Sequence, residues 1–230
     1  MLNMKIESEF FQGAADTTPL VMAAVPFGLI YGALAISIGL SPWETISMSL
    51  FVFAGSSQFI AISLLSSAAA MPVILMAVFF VNLRHMLYAI NLMPRVSNIS
   101  QKARIFMAFW LTDETFAVVC SRVEKKYDKI GIKFYYFGSA IAMYIVWSIC
   151  TIIGIVLGQN VPDITSWGLD VAMILAFIGI VVPKLKVSSD WACAATALFS
   201  TLFTYQWPNQ IGLIFSSILA IIVGQFVKKY

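Results

Sequence analysis

The sequence predicts an all-α, polytopic transmembrane helix bundle, and three observations lead to this fold class. Of the 230 residues, 60% are hydrophobic and only 11% are charged, whereas roughly a quarter of the residues in a soluble domain are charged. Uncharged stretches long enough to cross a hydrocarbon core of ~30 Å recur along the chain. Stretches such as 211–223 are apolar on every face, which favours helices over the alternating strands of a β-barrel.

The uncharged stretches predict seven spans separated by polar or turn-forming loops. An eighth segment, 105–120, is apolar but short, and Asp113 and Glu114 interrupt it. We expect this segment to re-enter the membrane or to lie at the interface, and the chain has eight spans if the segment crosses instead. The predicted spans cover residues 18–40, 44–66, 71–92, 134–158, 169–183, 190–205 and 210–227.

Lys and Arg gather in some connections and are absent from others, and this distribution sets the expected orientation. With seven spans the basic connections face the cytoplasm and the amino terminus lies outside. With eight spans both termini are cytoplasmic, but the basic residues of 95–104 then lie outside. The basic connections are 95–104, 122–133, 184–186 and 228–229.

The predicted organisation is a polar amino-terminal segment, one transmembrane domain and a cytoplasmic tail, over residues 1–17, 18–227 and 228–230. The polar connection 121–133 divides the domain into nearly equal halves, as in transporters built from two repeats. A GxxxG pair occurs in each half, at Gly28 and Gly32 and at Gly154 and Gly158. These glycines fit a two-repeat organisation, and they equally fit ordinary close packing of helices.

Several classes of function are excluded by motifs that the sequence lacks. A phosphate-binding GxxxxGK[ST] loop does not occur, so we expect no ATP binding in this chain. Cys120, Cys150 and Cys193 are widely separated and there is a single histidine, so we expect free thiols and no metal or other cofactor. Because membrane orientation accounts for the basic residues, the expected surroundings are the lipid bilayer and not nucleic acid.

Polar groups at membrane depth cost ~2.5–3.5 kcal/mol each on insertion scales, so each one calls for a role. Pro26, with Gly28 close behind it, removes a backbone hydrogen bond from the first span. This predicts a helix break that lines a cavity beside Tyr31, and a purely structural kink is the alternative.

The segment AGSSQF interrupts the second hydrophobic stretch and predicts a discontinuous helix. Gly55 allows the backbone to leave helical geometry, while Ser56, Ser57 and Gln58 offer donors and acceptors to a substrate. The alternative is that the two serines bond to their own helix and that Gln58 bonds a neighbouring helix.

Two further polar clusters lie in the first half of the chain. Asn82, Arg84 and His85 form a polar face near the end of the third span, where Arg84 either faces a cavity or extends to the headgroups. His85 either carries a proton or serves only as a hydrogen-bonding residue. Asp113 and Glu114 point about 100° apart on a helix, so one is expected to bind Arg84 or a substrate ammonium and the other to face water.

Together these residues can hold a small zwitterion at membrane depth, which predicts a transporter and not an enzyme. The rival interpretation is an intramembrane enzyme with Ser57 as nucleophile and His85 as base, although the elbow motif GxSxG is absent. A transporter for another small zwitterion is a further alternative. The expected substrate-binding residues are Tyr31, Gly55, Ser56, Ser57, Gln58, Asn82, Arg84, His85, Asp113 and Glu114.

Four motifs, in this order and spacing, resemble the AzlC family, the large subunits of bacterial branched-chain amino acid exporters. The resemblance implies a multi-pass protein of the bacterial cytoplasmic membrane that exports valine, leucine and isoleucine, with methionine as a further candidate. It also implies secondary transport driven by an ion or a proton, and an obligate small membrane subunit of the AzlD type. The motifs are GAADTTPLVMAAVPFGLIYGALA (13–35), FAGSSQF (53–59), NLRHMLY (82–88) and LTDETF (111–116).

Overall fold

A computed structural model describes residues 2–125, 131–161, 178, 182, 185–207 and 211–228, and this part of the chain is helical and contains no strand. Within these described residues, three helices are long and apolar enough to cross a membrane, in the stretches Glu7–Ser37, Met71–Val96 and Gly131–Asn160. The predicted fold class, a helical membrane bundle with broken helices, is confirmed. The elements are α1 (Leu2–Ser37), α2 (Pro42–Ser47), a π-helical turn (Met48–Val52), α3 (Gly55–Ser66), α4 (Met71–Val96), α5 (Gln101–Phe109), α6 (Asp113–Lys125), α7 (Gly131–Asn160), α8 (Ser188–Thr204) and α9 (Ile211–Lys228).

Helices α1 and α7 pack side by side along most of their length, and they run parallel. At one end the Thr17 hydroxyl donates to the Ser139 hydroxyl over 2.7 Å. At the other end a Cβ added to Gly154 would lie 2.3 Å from the Leu29 carbonyl oxygen, so the two backbones touch. Contacts therefore advance along both helices in the same direction.

Both GxxxG motifs belong to this one contact. A Cβ on Gly28 would meet the Cys150 side chain at 2.7 Å, and one on Gly32 would meet the Thr151 carbonyl oxygen at 2.3 Å. From the other side, Gly158 approaches Ala33. Close helix packing thus accounts for the glycines, and the contact between α1 and α7 covers both GxxxG faces.

The helix break predicted at Pro26 and Gly28 is wrong, because α1 continues through both residues. A proline removes only one backbone hydrogen bond from the helix, and the contact with α7 holds the turns on either side. The helix also begins at Leu2, well before the predicted residue 18. Its amino-terminal end is held by Glu9, whose carboxylate lies 2.9 Å from the guanidinium of Arg122 on α6.

Residues 44–66 do not form the single span that the sequence predicted. The helix ends at Phe53, which has a left-handed φ of 43°, and α3 starts again at Gly55. The side-chain amide of Gln58 donates to the Ser49 hydroxyl over 3.0 Å, so the chain turns back on itself. We call α2, the π-helical turn and α3 the first hairpin; its tip is Phe53–Gly55.

The tip of the first hairpin lies near the middle of α7. There the Tyr144 hydroxyl donates to the Leu50 carbonyl over 3.0 Å, and the Phe53 and Tyr144 rings are 4.8 Å apart. From the tip, α3 runs back to the end from which α2 came and pairs there with the start of α4. The first hairpin is therefore re-entrant with respect to the membrane that α1, α4 and α7 cross.

A second hairpin, α5 and α6, enters from the opposite end. The Tyr136 hydroxyl donates to the Met107 carbonyl, and the Trp110 ring lies 5.8 Å from the Tyr144 ring, so α5 rises to the middle of α7. The tip of this second hairpin is 110–113, and α6 then runs beside α4 back to the end at which α5 begins. This geometry agrees with the re-entrant interpretation of 105–120.

The last two described helices, α8 and α9, form an antiparallel pair. The hydroxyls of Thr204 and Ser216 lie 3.0 Å apart at the connected end, and Gly224 faces Cys193 near the other. These helices correspond to the predicted spans 190–205 and 210–227. The predicted span 169–183 lies outside the described residues except at 178 and 182.

Candidate functional site

The tips of the two hairpins border a common cavity of about 330 Å³, within the ~300–1,000 Å³ range of small-molecule sites. Each long helix contributes residues near its midpoint: Leu20 to Phe27 in α1, Arg84 and His85 in α4, and Met143 and Trp147 in α7. The cavity therefore lies at the level of the membrane midplane. Its wall consists of Leu20, Ala23, Ala24, Phe27, Phe53, Ala54, Gly55, Ser56, Phe59, Arg84, His85, Thr112, Asp113, Glu114, Ala117, Met143 and Trp147.

Two helices begin at this cavity, α3 at Gly55 and α6 at Asp113. In α3 the first helical hydrogen bond runs from the backbone amide of Gln58 to the backbone carbonyl of Ala54, over 2.9 Å. The three amides before Gln58 thus have no partner within the helix. A helix amino terminus carries the positive end of the helix dipole and favours negative charge, and both hairpins direct this end to the cavity.

The two amino termini differ in charge. The first turn of α3 contains no acidic residue, and no side chain caps it. The first turn of α6 contains Asp113 and Glu114, and the Thr112 hydroxyl accepts a hydrogen bond from the Thr115 amide over 3.3 Å. The second helix start therefore carries its own negative charge, whereas the first does not.

Arg84 is the basic residue of the cavity wall, and it binds Asp113 at 3.0 Å. The two side chains are 23% and 19% exposed, so the pair is largely removed from solvent. Of the charged residues that line the cavity, two are carboxylates and one is a guanidinium. With His85 neutral, the wall has one formal negative charge in excess, which favours a cationic group in the cavity.

Three hydrogen-bond donors of the cavity wall are buried and have no hydrogen-bond partner in the described part of the chain. They are the Ser56 hydroxyl, Nε of Arg84 and Nε1 of Trp147. All three can donate, and an unmade hydrogen bond of a buried donor costs ~1–3 kcal/mol. A ligand that brings acceptor oxygens to this wall would lower that cost.

Four of the expected binding residues lie behind the cavity wall. The Ser57 hydroxyl donates to Asn82, which ties α3 to α4. Gln58 is fully buried and bonds Ser49, and Tyr31 stacks on the Trp147 ring at 6.2 Å. The structure brings the other six, Gly55, Ser56, Arg84, His85, Asp113 and Glu114, to the cavity itself.

Sequence reasoning missed the apolar part of the wall, which α1 and α7 supply. Trp147 was the detectable member, because it lies in the middle of a span whereas tryptophan prefers the membrane interface. Leu20, Ala24, Phe27 and Met143 are indistinguishable in sequence from lipid-facing residues. Thr112 directly precedes Asp113 and Glu114 and belongs to the motif LTDETF (111–116).

The arrangement of Ser57 does not match the enzyme interpretation. Its side chain is fully buried, and its hydroxyl donates to Oδ1 of the Asn82 side chain and not to an imidazole. A nucleophilic serine needs a base that accepts this proton and a path for substrate to its oxygen. Ser57 therefore positions α3 against α4.

A cavity halfway along three helices that are long and apolar enough to cross a membrane, bordered by the tips of two hairpins, is the arrangement of substrate sites in membrane transport proteins. The chain belongs to the AzlC family, since the family model described as AzlC protein matches residues 19–161.

Relatives carry the similarity over most of the chain. A Bacillus subtilis protein named "Branched-chain amino acid transport protein AzlC" is 28% identical over 79% of this chain and 70% of its own length. An uncharacterized membrane protein of Archaeoglobus fulgidus is 31% identical over 81% of this chain and 80% of its own length. The Escherichia coli "Inner membrane protein YgaZ" is 28% identical over 66% of this chain, a match that spans 62% of that protein. No solved structure gives a significant match.

Proposed function

We propose that the chain is the permease of a branched-chain amino acid exporter in a bacterial inner membrane, and that the cavity between the hairpin tips binds the substrate. The observation that carries the proposal is that two helix starts with different polar groups, those of α3 and α6, border one largely apolar cavity. The start of α3 offers backbone amides and the Ser56 hydroxyl, and the start of α6 offers Asp113 and Glu114.

In the proposed binding mode the substrate carboxylate lies at the start of α3. Charge-assisted hydrogen bonds from amides and a hydroxyl to a carboxylate are shorter and stronger than neutral ones. The substrate ammonium lies at the start of α6, where two carboxylates face one guanidinium. The branched side chain contacts the wall formed by Leu20, Ala24, Phe27, Met143 and Trp147.

This apolar wall favours valine, leucine, isoleucine and methionine over polar amino acids, because burial of apolar surface contributes ~25 cal/mol per Å². It does not by itself rank the four. The relative from Bacillus subtilis, named for branched-chain amino acid transport, supports the same substrate class.

We propose a secondary mechanism in which an ion or a proton drives export. The sequence has no nucleotide-binding loop, and three titratable side chains, His85, Asp113 and Glu114, line the cavity. Efflux of labelled isoleucine from preloaded cells should cease when the pH gradient is collapsed. Efflux that instead depends on sodium would assign the coupling to that ion.

A small membrane subunit of the AzlD type remains part of the proposal. Since α1 and α7 occupy the glycine faces, the surface offered to such a subunit is the apolar side of α4, which has an apolar 18-residue stretch that is only 11% buried.

The decisive experiment is binding and transport by the reconstituted protein. Proteoliposomes that contain the chain, with and without the small subunit, should take up or release labelled leucine, isoleucine and valine along an imposed gradient. Excess unlabelled glutamate should not compete with these substrates. Binding of leucine without transport in the absence of the subunit would still support the site. Failure to bind any branched-chain amino acid with both subunits present would contradict the proposed function.

A further inference from the structure

The two hairpins share a residue pattern that their packing on α7 does not require. A tyrosine of the long helix before each hairpin contacts a phenylalanine of the hairpin's second arm. The rings of Tyr31 and Phe59 are 6.0 Å apart, and those of Tyr88 and Phe116 are 4.4 Å apart. The number of residues between the tyrosine and the phenylalanine is the same in both pairs.

The two units also share their topology, with opposite orientation. In each, a long helix is followed by a hairpin that enters from the side where that helix ends, and the second arm runs parallel to the long helix. The first unit is α1 to α3 and the second is α4 to α6. Because α4 runs antiparallel to α1, the units are related by inversion across the membrane, as in many secondary transporters.

Aligning the units on their phenylalanines matches residues in the first turns of α3 and α6. Ser56 and Asp113 each stand three positions before the phenylalanine, and Ser57 and Glu114 follow them. The matched first-turn positions thus carry hydroxyls in the first unit and carboxylates in the second. The backbones present the same positive end to the cavity from both sides, so the side chains alone set the difference.

We propose that the two hairpins are inverted copies of one unit, and that the neutral Ser56 matched to the acidic Asp113 makes the cavity select a zwitterion over a singly charged ion. This inference rests on the proposed function and names its specificity-determining residue. Ser56 is 9% exposed, lines the cavity and has a hydroxyl without a partner in the described chain. The positive start of α3 is therefore left for a carboxylate from the substrate.

The inference predicts a change of ligand class on a single substitution. In Ser56→Asp the new carboxylate occupies the start of α3, as Asp113 occupies the start of α6, so the purified protein should bind leucine roughly tenfold or more weakly. Binding of 3-methylbutylamine, which is leucine without its carboxylate, should be kept or strengthened. Ser56→Asn is the matched control, because it has the size of aspartate without its charge; it should weaken leucine binding less than Ser56→Asp does, and it should not shift the preference towards 3-methylbutylamine.

A second variant tests the other end of the site independently of Ser56. Glu114→Gln should weaken leucine and 3-methylbutylamine binding while competition by 4-methylpentanoate, which is leucine without its ammonium, is unchanged. Unaltered leucine affinity in Ser56→Asp, or equal losses in Ser56→Asp and Ser56→Asn, would overturn the inference. Lack of leucine binding by the unmodified protein would instead refute the proposed function on which it rests.

Discussion

The guanidinium of Arg84 lies 3.0 Å from the carboxylate of Asp113, and this ion pair joins the middle of α4 to the first turn of α6. Removing one partner leaves an uncompensated charge in a poorly hydrated site, at a cost on the order of 3 kcal/mol. Arg84→Gln and Asp113→Asn should each lower the melting temperature in detergent. The double variant Arg84→Gln/Asp113→Asn should recover much of that loss, since it removes both members of the ion pair together.

Transport should respond differently from stability at this pair. Because Asp113 also supplies negative charge to the proposed ammonium site, efflux of labelled isoleucine should fall roughly tenfold or more in Asp113→Asn and in the double variant. Efflux is measured from preloaded cells at matched membrane abundance. Restored transport in the double variant would show that the pair has only a structural role.

The sequence predicted the fold class and most long helices, because an uncharged stretch of about 20 residues has few alternatives to a membrane helix. It did not predict that 44–66 turns back. The reversal depends on Phe53 adopting a left-handed conformation and on Gln58 reaching Ser49, and hydropathy carries no information about either. Polar residues were likewise detectable at the site, whereas Leu20 and Met143 became part of its wall only through tertiary packing.

Gln58 lies behind the cavity, and its substitution should reveal a structural role. Its side-chain amide donates to the Ser49 hydroxyl, which lies 2.9 Å from the Thr151 hydroxyl. These two hydrogen bonds hold both arms of the first hairpin on α7. Gln58→Ala should destabilise the protein by about 1–3 kcal/mol, because it removes the buried hydrogen bond to Ser49. Leucine affinity of the folded fraction should stay within about twofold of the unmodified protein, as measured by equilibrium binding beside the thermal unfolding curve. A large loss of affinity without a loss of stability would place Gln58 in the binding site.

The re-entrant first hairpin makes a topological prediction that differs from a single span over 44–66. In a protein freed of its native cysteines, Trp43→Cys and Ser66→Cys should react with an impermeant thiol reagent from the same side of the membrane. Asn98→Cys and Ser121→Cys should react from the other side. Because Arg95, Arg104 and Arg122 share that second side with the amino terminus, it is expected to be cytoplasmic, whereas seven spans would have placed the amino terminus outside. Opposite labelling of the cysteines at positions 43 and 66 would contradict the hairpin.

The contact between α1 and α7 should tolerate no added side-chain atom at its closest points. A Cβ on Gly138 would lie 1.9 Å from the Phe10 carbonyl oxygen, and one on Gly154 would lie 2.3 Å from that of Leu29. Neither backbone can move away without opening the interface that positions both hairpin tips, so Gly138→Ala and Gly154→Ala should each destabilise the protein by about 1–3 kcal/mol.

Ile153→Ala, on the exposed side of α7 next to Gly154, is the matched control and should leave the melting temperature nearly unchanged. The glycine variants should also lose leucine binding, because Trp147 and Met143 reach the cavity from the same helix. Both properties are measured on the purified protein in detergent. Normal stability of Gly154→Ala would mean that the two helices are separated more widely than the contacts with Leu29 and Gly32 require, and the parallel register that fixes the midplane cavity would then be wrong.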